Sequence, residues 1–186
     1  GEPGYLNDVI TPLLSKGSVV SASLYDGYNG TDFLTVTVLG RTITVTQNQY
    51  PIFDRINHVV IVYRVDQTDV NEYESIFELW LNGRLWGSNT QQHVDTVPVT
   101  STSVSWLFAG NGGTNPRTDY ATELLKLDQI AVYQYALTTQ QVSNHYRKTK
   151  QYDAMIVDDL PQRYWRLDEL SNPSDLTLNP TVGGIN

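Results

Sequence analysis

Oxygen-rich clusters are the first groups in this 186-residue sequence whose types and spacing could do chemistry. The stretch Asp26-Gly27-Tyr28-Asn29-Gly30-Thr31-Asp32 sets Asp26, Asn29 and Asp32 within a few residues of one another, and calcium takes carboxylate, amide and carbonyl oxygens of this kind. Asn111 with Asp119 is a second such set. Neither has the spacing of an EF-hand loop, and Asp or Asn beside Gly is also the ordinary composition of a turn. No cofactor is required; calcium is the one the sequence brings forward as an option.

Carbohydrate recognition calls for exposed aromatic rings that stack on sugar faces, with amide or carboxylate groups nearby for the hydroxyls. Trp86, Tyr28 and Tyr120 fall in or beside turn-like segments, and Asn111 supplies an amide. Packing or an inter-subunit contact is the favoured role for the same rings, ahead of sugar binding. Trp80 and Trp106 alternate with apolar residues and read as sheet-face packing.

Catalytic patterns are missing. Glycosidases on β-sandwiches use carboxylates at alternate positions of one strand, and no E-x-D-x-x-E occurs here. Glu74 and Glu78, four apart, could share a strand face, whereas Glu123 and Asp128, five apart, would not. His58, His93 and His145 lack metal-ligand spacing, no G-x-S-x-G elbow is present, and with no cysteine there is neither thiol chemistry nor a disulfide. The expectation is a non-enzymatic protein.

The elements that must carry these residues are short β-rich runs. Residues 1–16, with Gly1, Pro3, Gly4 and Pro12, read as an irregular lead-in in which Leu13 and Leu14 are buried. Strands are expected over 18–25, 33–39, 42–47, 58–65, 75–81, 84–88, 103–109 and 124–133. Residues 33–39 and 42–47 form a hairpin across Gly40-Arg41, with Val36 and Val38 on one face opposite Ile43 and Val45. The continuous apolar run over 58–65 predicts a central strand covered on both faces. Asn82-Gly83 predicts a type I′ hairpin, since both positions tolerate positive φ. A polar loop spans 111–116. After it, Thr138 as N-cap, Gln141 at N3 and Leu137 opposite Val142 predict a capped helix running to about residue 147.

At 40% apolar and 17% charged residues, with abundant hydroxyl side chains, the composition suits one sandwich domain and not disorder. The net charge of -8 disfavours nucleic acid and anionic lipid, which are bound mainly through clustered Lys and Arg. No apolar run approaches the ~20 residues of a membrane helix, and no basic and apolar leader opens the sequence, so a soluble chain without membrane insertion is expected.

Three segments in order resemble the laminin G-like (concanavalin A-like) jelly roll of bacterial and bacteriophage proteins. Residues 56–63, Ile-Asn-His-Val-Val-Ile-Val-Tyr, resemble its "WHHVAxxY" strand, with Ile56 and Asn57 in place of Trp and His. Phe77-Glu78-Leu79-Trp80-Leu81-Asn82-Gly83-Arg84-Leu85 resembles its "lxLYvDGxl" hairpin, with Asn at the turn. Residues 127–138 resemble "iDEvaiYnxaLs" and lead to His145-Tyr146 at the helix end. The resemblance implies an all-β antiparallel jelly-roll β-sandwich over residues 1–150, with one short helix near the C-terminus. Residues 152–169, containing Tyr164-Trp165-Arg166-Leu167-Asp168-Glu169, resemble the "DxPxxYWRLxE" strand that opens a unit in tandem phage structural proteins. Residues 151–186 are therefore expected to be a linker with the first strand of a following unit, or else an edge strand of the same sandwich. On the same grounds the expected setting is a virion or the extracellular surface. The expected role is a tail or fibre module that binds host-surface glycan. A purely architectural domain contacting other virion proteins or further copies of itself, and a glycan-cleaving enzyme, are the alternatives.

Overall fold

Alternation of aliphatic and hydroxylated residues builds much of the first sheet in the computed structural model, which describes residues 9–26, 32–50, 56–97, 106–108, 130–147, 159 and 161–165. In chain order, the described strands are β1 (Val9–Lys16), β2 (Val20–Asp26), β3 (Phe33–Val38), β4 (Arg41–Thr46), β5 (Val59–Asp69), β6 (Glu72–Leu81), β7 (Arg84–Val94), β8 (Leu107–Phe108), β9 (Ile130–Val132) and β10 (Arg163–Trp165). One short helix, α1 (Thr139–Arg147), is described. The chain is thus mostly β. It divides into two compact units, residues 1–81 with 85–125, and residues 126–186 with the hairpin tip Asn82–Arg84.

The first unit holds a five-stranded sheet in the order β4-β3-β2-β1-β8 and a three-stranded sheet in the order β5-β6-β7. Leu34, Val36 and Val38 of β3 are buried while their neighbours Phe33, Thr35 and Thr37 face the other way. Val20, Ala22 and Val45 join them in one core with Phe77, Leu79 and Leu81 of β6, so the two sheets share a sandwich-like interior. Complete burial of such a side chain contributes about 1.5–3 kcal/mol, and these nine residues are the main source of cohesion between the sheets.

Three expectations change. The lead-in is in part a strand: β1 pairs antiparallel with β2, and its register shifts between Pro12 and Leu14. A bulge there accommodates a residue that has no N–H to give to a ladder, which is why proline-bearing sequence is β structure here. The β3–β4 turn is Leu39-Gly40, not Gly40-Arg41, with φ of 48° and 77°. Pairing of Val36 with Ile43 and Leu34 with Val45 fixes the register, so Arg41 stands opposite Val38 on the core side. Among the described residues the middle strand of the smaller sheet is β6, not β5. In β5 only Val62 is buried, whereas β6 buries Ser75, Ile76, Phe77, Leu79, Trp80 and Leu81.

The Asn82-Gly83 turn has φ of 51° and 74°, as a type I′ hairpin requires. In the second unit β9 pairs antiparallel with β10, Ala131 opposite Tyr164. The helix opens with the expected capping box: the Thr138 N–H donates to Gln141 Oε1 at 2.9 Å, and the Gln141 N–H donates to Thr138 Oγ1 at 3.2 Å. Val142 and His145 form its buried face. The expected loop at 111–116 and the first part of the strand expected over 124–133 lie outside the described residues.

Candidate functional site

The outer face of the five-stranded sheet is a ruled surface. Registers β1–β2, β2–β3 and β3–β4 align Ser15, Ser21, Thr37 and Thr42 in one row, and Pro12, Ser23, Thr35 and Thr44 in the next. A third row holds Ile10, Tyr25, Phe33 and Thr46. Paired residues share a face, and rows lie ~6.8 Å apart along a strand with ~4.8 Å between strands. Thr37 and Thr42 hydroxyls bond each other at 2.9 Å. Tyr25 and Phe33 stack with centroids 4.4 Å apart, and Ile10 beside them is 64% exposed. No charged residue occupies any of these positions, in a chain of net charge -8. The result is a neutral array of hydroxyls, exposed at Thr42 and Thr44 and half-buried elsewhere, closed at one end by an aromatic and aliphatic strip.

A second polar group lies between the sheets. Arg41 Nη1 donates to the backbone oxygens of Ser75 at 3.0 Å and Asn89 at 3.1 Å, and the guanidinium lies over the Tyr63 ring at 5.6 Å. Ser75, buried, has its hydroxyl 2.7 Å from His93 Nε2. The Arg41 contacts link residues distant in the sequence through the packing of the two sheets, whereas Ser75 and His93 are neighbours on the paired strands β6 and β7.

In the second unit Asp159 collects three partners. Its Oδ2 is 2.5 Å from Nε2 of buried His145, its Oδ1 accepts from Gln141 Nε2 at 3.1 Å, and its backbone oxygen accepts from the Tyr135 hydroxyl. Burial, and after it the Asp159 carboxylate, push the Tyr135 phenol above its ordinary value.

The residues singled out above fall as follows. Trp86 is half-buried against the core and meets Tyr50 edge-on at 5.7 Å. Trp80 is buried and donates from Nε1 to Glu78 Oε2 at 3.0 Å, while Trp106 lies beneath the Lys16 ammonium at 5.3 Å. Asp32 is half-buried, and its backbone oxygen accepts from the Gln47 N–H at 2.8 Å. Asp26 ends β2. Asn29, Tyr28, Tyr120, Asn111, Asp119, Glu123 and Asp128 lie outside the described residues. Among the described residues no three His, Asp or Glu side chains form a group that could hold a metal ion. Glu78 is engaged by Arg64 at 3.0 Å as well as by Trp80, and Glu74 accepts from Gln92 at 2.7 Å.

Comparison with protein-family models, with curated proteins and with solved structures returned no match.

Proposed function

We propose that this chain is a non-enzymatic attachment module of laminin G-like jelly-roll type, from a bacteriophage tail or fibre, which binds neutral host-surface carbohydrate on the outer face of its five-stranded sheet. The observation that carries the binding role is the grid of Ser and Thr rows, free of charge and bordered by Tyr25 and Phe33. Hydroxyl groups both donate and accept, so a rigid grid of them can exchange hydrogen bonds with sugar hydroxyls at little ordering cost, and the aromatic border offers apolar surface to a sugar ring. The phage setting rests on the sequence resemblance of residues 152–169.

The test is a glycan array probed with the unaltered chain and with Thr35→Glu and Thr44→Glu, each of which sets a charge in the middle row. Binding to neutral glycans that drops tenfold or more in both variants, with melting temperature held, supports the reading; at exposed Thr44 the substitution ordinarily moves stability by no more than about 0.5 kcal/mol, and at half-buried Thr35 the melting temperature shows whether the sheet stays folded. Equal binding by all three chains removes the sheet face from the reading. No binding to any glycan, together with stable self-association of the chain, replaces it with an architectural module.

A further inference from the structure

β4 ends the five-stranded sheet, with no further strand beyond it among the described residues. Its two-residue turn makes Val38 and Arg41 the hydrogen-bonded pair that closes the hairpin, and the Gln47 N–H donates to the Asp32 oxygen at 2.8 Å in the same phase. Antiparallel pairs alternate between bonded and non-bonded. Arg41, Ile43 and Val45 therefore direct their N–H and C=O groups to β3, while Thr42, Thr44 and Thr46 direct theirs outward. Thr46 is used locally: its N–H donates to Gln49 Oε1 at 3.3 Å, and its oxygen accepts from the Gln49 and Tyr50 N–H groups, each at 3.0 Å. The N–H and C=O groups of Thr42 and Thr44 have no partner among the described residues. Both residues are exposed, whereas Thr35 and Thr37, on the same face but flanked by a strand on either side, are half-buried.

Sheet proteins ordinarily guard such an edge with lysine, proline or a bulge. The six pairs of β4 with β3 run without a register shift, the strand holds no lysine or proline, and its one charged residue, Arg41, is engaged with the Ser75 and Asn89 backbone oxygens. We propose that β4 is the pairing edge for a second copy of this chain. The two strands lie antiparallel about a two-fold axis, with Thr42 facing Thr44 of the partner subunit and Ile43 facing Ile43 of the partner subunit. In this register a bonded pair forms on either side of the axis, and every open backbone group of Thr42 and Thr44 gains a partner. A second copy fits because the edge is self-complementary. Hydroxyl side chains meet hydroxyl side chains, Arg41 stands opposite Val45, and Thr46 stands opposite Gly40, where nothing lies within 4 Å of the place a Cβ would take. No acidic residue lies on the strand, in a chain whose net charge of -8 makes copies repel elsewhere. The row of hydroxyls that ends at Thr42 then runs on into the row that begins at Thr44 of the partner subunit, across one continuous sheet. The pairing stands whether or not that face binds sugar.

Sedimentation velocity and amide hydrogen exchange of the whole chain, without sugar, over a hundredfold range of concentration test it. The expected result is a weak monomer–dimer equilibrium, since the strand contact is small, tightened by sodium chloride, which screens the exposed charges. The Thr42 and Thr44 amides gain protection as concentration rises, while the Thr46 amide, held by Gln49, does not. Thr44→Pro removes an outward donor and leaves the bonds to β3 in place, and the double variant Thr42→Lys, Thr44→Lys sets lysine against lysine across the axis. Each should weaken dimerisation tenfold or more. A chain that is monomeric throughout overturns the proposal. So do Thr42 and Thr44 amides protected to the same degree at every concentration, and so does a dimer that both variants leave unchanged. The exchange series on the unaltered chain decides the matter even if Thr44→Pro does not fold.

Discussion

Asp159 Oδ2 lies 2.5 Å from His145 Nε2, joining a residue of the C-terminal segment to the buried face of α1. The same carboxylate also accepts from Gln141, so the polar face of the capping turn and the apolar face of the helix are fastened by a single side chain. Asp159→Ala removes both acceptors, including the one that meets Nε2 of His145, which is 1% exposed. The expected loss is about 1–3 kcal/mol, the range for a buried polar group left unsatisfied. Urea unfolding followed by helix circular dichroism measures it, and Asp159→Asn, which keeps an acceptor, should lose less.

The phenol of Tyr135 gives a pH-dependent counterpart. Burial first, and the Asp159 carboxylate second, raise its pKa above the ordinary value of 10.0. A raised folded value means that folding favours the protonated phenol. Its stabilising contribution is therefore complete below the unfolded value and is lost as pH rises through the folded one. The Tyr135 ring-carbon resonance should titrate at higher pH than that of an exposed tyrosine. Asp159→Asn should bring the midpoint only part of the way down, since burial is the larger cause; a midpoint that does not move would remove Asp159 from the account.

Two glycines separate backbone strain from steric conflict. Gly40, at φ 77°, has nothing within 4 Å of the place a Cβ would take, while Gly83, at φ 74°, would set a Cβ 3.0 Å from Tyr146 Cδ1 and 3.1 Å from Tyr146 Cβ. Gly40→Ala should cost about 1–2 kcal/mol, the left-handed backbone penalty alone. Gly83→Ala should cost more. Matched thermal or denaturant unfolding of the two variants gives the difference, and equal losses would mean that Tyr146 yields without cost.

The shared core should be most sensitive at Phe77. It is 0% exposed and packs with residues of both sheets, so Phe77→Ala opens a cavity that neither sheet can collapse into freely. A loss of about 3–5 kcal/mol in equilibrium denaturation is expected. A loss below 1 kcal/mol would mean that the two sheets do not depend on this side chain.

What could be read in advance was local. Asn82-Gly83 announces its turn because both positions must take positive φ, and Thr138 with Gln141 announces the helix start because two side chains close one ring of hydrogen bonds. Pro12 misled, because a bulge absorbs a proline that a regular ladder rejects. Leu39 misled too: it takes φ 48° at the turn, a conformation a leucine side chain disfavours, because the Leu34–Val45 and Val36–Ile43 pairs outweigh that cost. The hydroxyl rows emerge only when four strands are set in register. The Arg41 contacts depend on how two sheets meet, and the Ser75–His93 contact on the pairing of β6 with β7, neither of which a single-strand pattern encodes.

Gly87 and Ile43 set a rule for how this sandwich can diverge. A Cβ at position 87 would come within 3.0 Å of Ile43 Cγ2 on the facing sheet, so the sheets approach at that point only because one side chain is missing. The two positions are therefore not free to drift independently. In any lineage that keeps this packing, an alanine at 87 should arrive with or after a smaller residue at 43. The reverse order would pass through an overpacked intermediate, and the pair should surface as covariation in an alignment of descendants.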